Sequence, residues 1–156
     1  QDNQREATLY AYLAGIIDCE GTIRITHERL KSKPNWSPRY NGAMSVGMTD
    51  KRIIELFRDT FTPKGKIWTE CVPNRKIVYR WGTSGSKIVP QILKLLLPYL
   101  RVKKENAMLV VQLCEGKKTT GFRRNKGLSE KELLFREDLY QKVRKLNKVG
   151  APAETK

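Results

Sequence analysis

The amino-acid sequence predicts an α+β fold with a four-stranded antiparallel sheet and additional helices after it. Leu9 to Gly21 is an apolar run with helical spacing, and two pairs of alternating segments follow it, separated by a second helical segment. The C-terminal third has only helical patterns. At 156 residues with 39% hydrophobic side chains, the chain can bury the core of one domain. We assign 1–148 to a single domain and expect 149–156 to be a disordered tail.

The first helix has two faces of different composition. One face carries large apolar side chains, those of Leu9, Leu13, Ile16 and Ile17. Gly15 costs about 1 kcal/mol against alanine in a helix, which suggests that another backbone approaches closely there. The second face is accordingly made of small residues, namely Ala7, Ala11, Ala14, Gly15 and Asp18.

The end of this helix is acidic. Asp18 and Glu20 precede Gly21, which lets the chain turn. The unpaired carbonyls of a helix C-terminus carry about −0.5 charge, so a carboxylate there strengthens a field that attracts cations. Mg²⁺ prefers oxygen ligands and shares substrate phosphates while keeping several waters. The pattern predicts a divalent-cation site; the ordinary alternative is a pair of solvated carboxylates.

The charge balance points to a polyanionic partner. Lys and Arg number 31 against 16 Asp and Glu, a net charge of +15. Nucleic acid is the first candidate, because neutralising phosphates releases counterions and drives binding. An acidic membrane is opposed by the scattered basic residues and by the absence of an apolar run near 18 residues. We therefore expect no membrane and no small-molecule substrate.

Several other site classes are excluded by residue counts. Three widely spaced cysteines, with no Cys-x-x-Cys pair, argue against zinc and predict buried thiols in a reducing, intracellular compartment. The single His27 excludes most histidine-based sites, and no phosphate-loop motif is present. The start of the chain has no signal-peptide pattern.

The middle of the chain predicts two hairpins joined by a helix. Asp50 can cap that helix, which runs to about Phe61 and is ended by Pro63. The predicted strands are Thr22 to Arg29, Arg39 to Met48, Gly65 to Cys71 and Ile77 to Thr83. A basic loop from Leu30 to Pro38 connects the first two strands and suits an arm over a phosphate backbone, although exposed charged loops are common for solubility alone.

Three further helices are predicted after the second hairpin. The third begins at Ser84 or Ser86, with Pro90 tolerated in its first turn, and ends at Leu97. The fourth covers Lys103 to Cys114, and the fifth covers Ser129 to Asn147 with Ser129 in capping-box spacing. Between them Gly116 to Gly127 is a basic, flexible connector that either contacts phosphates or is simply mobile.

Residues 13–21, Leu-Ala-Gly-Ile-Ile-Asp-Cys-Glu-Gly, resemble the motif that names the LAGLIDADG homing endonucleases. Pro98 to Ala107 resembles the second signature of that family, and the element order agrees with its αββαββα fold with a saddle-shaped sheet. The departures are Cys19 for alanine and Glu20 for the final aspartate. The resemblance implies that the Glu20 carboxylate and the Cys19 backbone carbonyl ligate the catalytic metal, and that Lys103 enters the active site. Asp50 falls near a water-orienting residue, but a helix cap is its stronger interpretation.

The single motif resembles that of the homodimeric members, which implies a dimer through Ala11, Ala14, Gly15 and Asp18. The implied activity is sequence-specific hydrolysis of both strands of a long pseudo-palindromic double-stranded DNA site with Mg²⁺, for which Mn²⁺ or Ca²⁺ could substitute in binding. The candidate DNA-binding residues lie on the strands and the basic loop: Arg24, Thr26, Glu28, Lys31, Lys33, Arg39, Asn41, Lys66, Trp68, Glu70, Lys76 and Arg80.

Two other functions stay open at this point. A relative without cleavage activity, such as an intron maturase or a regulator, needs the same basic sheet but not the chemistry of Glu20. A basic ribosomal or RNA-binding protein is explained by the charge alone, but that gives no reason for the acidic end of the first helix.

Overall fold

The computed structural model describes residues 2–32, 34–119 and 127–148. Within them the order of elements confirms the predicted α+β fold: helix, two strands, helix, two strands and then three helices. The predicted tail at 149–156 lies outside the described residues, as does most of the predicted connector. The elements are α1 Asp2–Glu20, β1 Gly21–Glu28, β2 Arg39–Met48, α2 Lys51–Phe61, β3 Trp68–Glu70, β4 Val78–Ser84, α3 Ile88–Leu96, α4 Lys104–Thr119 and α5 Glu130–Leu146.

The four strands form one antiparallel sheet in the order β1-β2-β4-β3. Paired residues share a face, because side chains alternate along each strand. The pairs Ile23–Met44 and Val46–Trp81 therefore line the inner face. All four of these side chains are buried, so this face of the sheet forms one side of the core.

The core lies between the inner sheet face and the helices. Phe57 of α2 stacks on Trp81 with ring centroids 5.4 Å apart, and the Trp81 indole N–H donates to Thr62 Oγ1 at 2.7 Å. The last two helices contribute to the same cluster through Val110 of α4 and Leu139 of α5. The C-terminal helices therefore pack into the same core as the sheet.

The buried and exposed faces of α1 contain partly different residues from those predicted. Leu13, Ala14 and Ile17 are fully buried, because they share an arc of about 100° at 3.6 residues per turn. Ala14 is thus part of the core of its own subunit, and its assignment to a dimer interface was wrong. Ala11 and Gly15 are exposed on the opposite side.

Some element boundaries also differ. Strand β3 is shorter than predicted, and α3 begins only at Ile88, after an N-cap residue, Lys87, that makes no side-chain cap hydrogen bond. Ser84 is instead paired with Ala43 in the sheet. The predicted cap of α5 is confirmed, since Ser129 Oγ accepts from the backbone N–H of Glu132 at 3.3 Å.

The three cysteines are free thiols with different exposure. Cys114 is buried, as predicted, whereas Cys19 and Cys71 are exposed. Cys19 lies on the outward side of α1 and Cys71 follows the edge strand β3, so neither position faces the core. Among the described helices, none has the length and apolar character needed to cross a bilayer.

Candidate active site and nucleic-acid interface

The end of α1 is joined to the segment before α4 by three hydrogen bonds. The Asp18 carboxylate accepts from the backbone N–H of Arg101 at 2.7 Å and from that of Lys103 at 2.8 Å. The Lys103 ammonium donates in return to the backbone carbonyl of Asp18. These contacts bring together the two segments that carry the motif residues.

This geometry corrects the predicted role of Asp18. Its carboxylate faces its own subunit and is half-buried, so it is not part of an exposed dimer face. Backbone N–H groups just before and within the first turn of a helix have no intrahelical acceptor, and a negative charge there is favourable. Asp18 therefore fixes the segment 101–103 against α1 through these hydrogen bonds.

The same contacts position Lys103. The last carbonyls of a helix lack intrahelical donors, and a cation near them is stabilised by the helix dipole. The Lys103 ammonium occupies such a position at the Asp18 carbonyl. Glu20, the last residue of α1, lies two residues further along and is exposed. One helix end thus carries both the lysine and the exposed carboxylate.

Gly21 allows the strand to leave the helix directly after Glu20. A Cβ at Gly21 would lie 2.8 Å from the Ile17 Cα and 2.9 Å from the Ile17 carbonyl oxygen, which are backbone atoms that cannot move aside. Any side chain here would force β1 away from α1. The glycine therefore fixes where Glu20 stands relative to the sheet.

The oxygen atoms at this end of α1 suit a hard divalent cation. The exposed Glu20 carboxylate and the carbonyl of Cys19 are the two candidate ligands, and both are of the kind that Mg²⁺ prefers. Within residues 2–32, 34–119 and 127–148, no group of three His, Cys, Asp or Glu side chains could hold a metal ion. Glu20 is therefore not part of such a group within the described residues.

Asp50 has a different environment. Its Oδ1 accepts from the backbone N–H of Arg52 at 3.0 Å and caps α2, as the cap interpretation predicts. The Arg52 guanidinium also donates to both carboxylate oxygens, at 3.1 and 2.7 Å. These bonds lower the pKa of Asp50, the side-chain bond most strongly. The geometry supports the cap interpretation of Asp50, and its role in orienting a water stays a prediction.

The outer face of the sheet carries the predicted strand residues. The register pairs Glu28 with Arg39 and Thr26 with Asn41, while Arg80 lies opposite Trp68 on β3. These residues share one face because paired positions do, and the opposite face is the core. Outside the strands, Lys31, Lys66 and Lys76 are exposed in loops, and Lys33 lies outside the described residues.

Arg80 and Trp68 cross neighbouring strands on this outer face. Arg80 Nε donates to Glu70 at 2.6 Å, and the guanidinium lies so close over Gly47 that a Cβ there would be 2.8 Å from Nη1. Trp68 is 46% exposed and lies over Gly82 in the same way. Small residues in β2 and β4 thus make room for a cation and an aromatic ring, the two side-chain types that most often contact nucleic acid.

Lys117 of α4 contacts Asn41 of this face, and the sequence did not indicate this contact. Its ammonium donates to Asn41 Oδ1 at 2.8 Å, to Ser86 Oγ at 2.8 Å and to the backbone carbonyl of Tyr40. Burial lowers the pKa of Lys117. We assigned it to a flexible connector because Gly116 suggested the end of α4, but the helix continues through Gly116 to Thr119.

A second cluster joins β1 and β2 to α5. His27 stacks on Tyr40 with centroids 4.9 Å apart and contacts Tyr140 at 5.5 Å. The Tyr40 hydroxyl donates to the Glu137 carboxylate. Burial, together with this bond, raises the pKa of Tyr40 to about 12. This cluster supports the strand that carries Asn41, and His27 is its exposed member.

Comparison with known proteins supports the fold. No family model and no curated protein matched the sequence. Among solved structures, the LAGLIDADG homing endonuclease I-GzeII in complex with its DNA target superposes with a TM-score of 0.63 at 18% identity, covering 86% of this chain and 43% of that one. The homing endonuclease I-CvuI, in complex with the I-CreI target, superposes with a TM-score of 0.71 at 19% identity, covering 97% and 88%. The chain has the LAGLIDADG homing-endonuclease fold.

Intron-encoded homing endonucleases share this fold with similar coverage. The archaeal I-Vdi141I complexed with DNA superposes with a TM-score of 0.68 at 15% identity, covering 94% of this chain and 86% of that one. The group I intron-encoded I-CeuI complexed with DNA gives 0.70 at 12% identity, covering 88% and 67%. The LAGLIDADG endonuclease fold thus accounts for nearly the whole chain, including its C-terminal helices.

Proposed function

We propose that the chain is a metal-dependent, sequence-specific DNA endonuclease that acts as a homodimer and hydrolyses both strands of a long pseudo-palindromic site. The observation that carries this proposal is the end of α1, where Lys103 is bonded to the Asp18 carbonyl, two residues before the exposed Glu20. A relative that only binds nucleic acid needs the sheet but has no use for this arrangement.

The proposal gains support from charge and from similar proteins. The net charge of +15 suits a partner with a dense phosphate backbone. I-Vdi141I and I-CeuI were solved as complexes with DNA, and I-CvuI was solved with its target in the presence of Ca²⁺. Those complexes give a reason to consider the outer sheet face of this chain as the DNA-binding surface.

The chemistry needs oxygen ligands and a fixed cation. The Glu20 carboxylate and the Cys19 carbonyl, with the same atoms of a second copy, would hold Mg²⁺, and Mn²⁺ or Ca²⁺ would bind there too. A bound metal of this kind lowers the pKa of water and neutralises charge on a scissile phosphate. The Lys103 ammonium adds a positive charge that is oriented in advance and stabilises the developing negative charge on the phosphate.

The exposed side of α1 supports the proposed homodimer. Ala11 and Gly15 face outward, and a Cβ built on Gly15 meets no described atom within 4 Å apart from its chain neighbours and the nearby backbone of its own helix. A second copy of α1 could therefore approach the backbone closely there. A two-fold axis beside this face would bring two Glu20 carboxylates together and complete the ligand set.

The test starts from the DNA site that wild-type protein selects from a randomised library. With Mg²⁺ the wild type should cut both strands of this site, whereas Glu20→Gln should bind it with similar affinity and cut at least about 100-fold more slowly. Glu6→Gln is the matched control, because Glu6 is an exposed carboxylate of the same helix far from its C-terminal end.

The outcomes separate the candidate functions. Unchanged cutting by Glu20→Gln would contradict the metal assignment. Wild-type protein that binds its selected site but does not cut it with Mg²⁺ or Mn²⁺ would favour the relative that only binds nucleic acid. Selection of RNA in preference to double-stranded DNA would contradict the proposal as a whole.

A further inference from the structure

The Asn41 side chain is held on one side by a half-buried cation, the ammonium of Lys117. Its Oδ1 accepts from Lys117 Nζ at 2.8 Å and from Ser86 Oγ at 3.4 Å. Lys117 in turn donates to at least three acceptors among the described residues, namely Asn41 Oδ1, Ser86 Oγ and the Tyr40 carbonyl. Asn41 is therefore fixed from α4 and from the segment that precedes α3.

The identity of Lys117 decides which end of the amide faces it. An ammonium has three donors and no acceptor, so the Asn41 oxygen, and not the nitrogen, must point at Lys117. The two acceptor directions of that oxygen are taken by Lys117 and Ser86. The orientation of the amide thus follows from hydrogen-bond chemistry and does not depend on distinguishing nitrogen from oxygen.

The amide nitrogen points the other way and is accessible. Within the described part of the chain, the only buried side-chain nitrogen or oxygen without a partner is Nε of Arg136. Asn41 Nδ2, which makes no hydrogen bond to a described residue, is therefore open to solvent. Asn41 pairs with Thr26 in the register, on the sheet face that we propose binds DNA.

We propose that Asn41 determines specificity by donating through its amide NH₂ alone, and that it selects guanine and not adenine in the major groove. This inference rests on the proposed function. Asparagine reads adenine by accepting from N6 and donating to N7 at the same time, and the first of these needs a free oxygen. Guanine presents two acceptors, N7 and O6, to which an NH₂ group can donate. The charge-assisted bond from Lys117 also polarises the amide and strengthens it as a donor.

The sharpest test replaces the donor with an acceptor at constant shape. Binding preferences are measured with Ca²⁺ for wild type, Asn41→Asp and Asn41→Ala on the selected site and on all its single-base variants. Wild type should prefer guanine over adenine at one position of each half-site, and Asn41→Ala should remove that preference. Asn41→Asp should reverse it toward cytosine, whose N4 amino group is a donor, by about tenfold.

Two variants test the constraint itself. Lys117→Met frees the amide oxygen and should raise the affinity for adenine relative to guanine at the same position. Ser86→Ala should have the same effect, but a smaller one. Lys117→Met removes the donor from half-buried acceptors and is expected to destabilise the fold, so its melting curve is recorded first. If Lys117→Met does not fold, Ser86→Ala and Asn41→Asp still test the inference. Asn41→Asp keeps an oxygen that accepts from Lys117.

Three results would overturn the inference. One is a wild-type preference for adenine at the position that Asn41→Ala affects. Another is an Asn41→Ala variant whose binding preferences over all single-base variants equal those of wild type. That result would show that Asn41 does not contact a base specifically, and it would not contradict the proposed endonuclease. The third is failure of wild-type protein to select any DNA site, which would overturn the proposed function together with this inference.

Discussion

Asp18 and Glu20 are two residues apart at the end of α1, yet their carboxylates have different surroundings. Asp18 accepts from two backbone N–H groups of the segment before α4, whereas Glu20 is exposed. The first carboxylate therefore holds protein to protein, and the second is available to a ligand. This difference gives Asp18 a positioning role, because the segment that it holds also carries Lys103.

We predict that Asp18→Asn separates cleavage from binding. An asparagine amide has only one acceptor oxygen, so one backbone N–H would lose its bond and Lys103 would be held less firmly. Single-turnover cleavage of the selected site should fall roughly tenfold or more, with the dissociation constant for DNA within about twofold.

The matched control for this variant is Asp138→Asn. Asp138 is an exposed carboxylate of α5 that pairs with Lys142 on the same helix, so this change should leave both measured quantities unaltered. Equal losses of binding and cleavage in Asp18→Asn would indicate a general loss of structure and would contradict the positioning role.

Tyr40 predicts an alkaline pH dependence of stability. Its folded pKa is raised from 10.0 to about 12, chiefly by burial and by the bond to Glu137, so the folded state keeps a proton that the unfolded state loses. The stabilisation is complete below pH 10 and is lost as the pH rises through about 12. The free energy of unfolding should fall in this range by at most about 1.4 kcal/mol per pH unit.

The chain has six tyrosines, and Tyr40→Phe separates the effect of Tyr40 from that of the other five. Denaturant unfolding at several values between pH 9 and pH 12 should show a smaller decline for the variant than for wild type. Parallel declines would mean that Tyr40 ionises normally in the folded protein.

At the scale of elements, two glycines of the α1 region have different surroundings. Gly15, within α1, has space around it, whereas Gly21, directly after α1, has none. A Cβ on Gly15 meets no atom within 4 Å, whereas a Cβ on Gly21 would lie 2.8 Å from the Ile17 Cα. The subunit alone thus explains Gly21 but not Gly15. A helix residue that costs stability and touches nothing in its own subunit is consistent with a partner at that surface.

We predict opposite effects of the same substitution at these two positions. Gly15→Ala should raise the free energy of unfolding of the separated subunit by up to about 1 kcal/mol, through helix propensity, and should weaken the dimer. Gly21→Ala should destabilise the subunit, because backbone atoms must shift. Denaturation and sedimentation equilibrium measure the two quantities. A Gly15→Ala dimer as tight as wild type would exclude close backbone packing at Gly15.

The sequence predicted the elements well where local pattern determines them. Alternation gave the strands and their shared face, and Asp50 and Ser129 marked helix starts by their own hydrogen bonds. Local pattern failed where a distant partner decides. Ser86 resembled a helix cap, but its hydroxyl is held by Lys117, and Ala14 resembled a surface residue until packing of α1 turned it inward. Asp18 was misassigned because its partners lie more than 80 residues away.

At the scale of the whole molecule, our proposal makes one chain half of an active site. One subunit offers a sheet face with basic and aromatic side chains and, at one helix end, a single exposed carboxylate beside a lysine. No described residues complete a metal site with it. A second copy related by a two-fold axis would double the sheet and pair the two carboxylates, which is why dimerisation and catalysis depend on the same helix in our proposal.

The central claim is that two copies of Glu20 hold one metal-dependent active site on DNA. Anomalous diffraction at the manganese edge, from crystals of the protein with its selected DNA site and Mn²⁺, tests this directly. We predict peaks on or beside the two-fold axis, within coordination distance of the Glu20 carboxylates of both subunits, and their loss in Glu20→Gln crystals. Manganese bound elsewhere, or Glu20 carboxylates that lie far apart in the complex, would contradict the account.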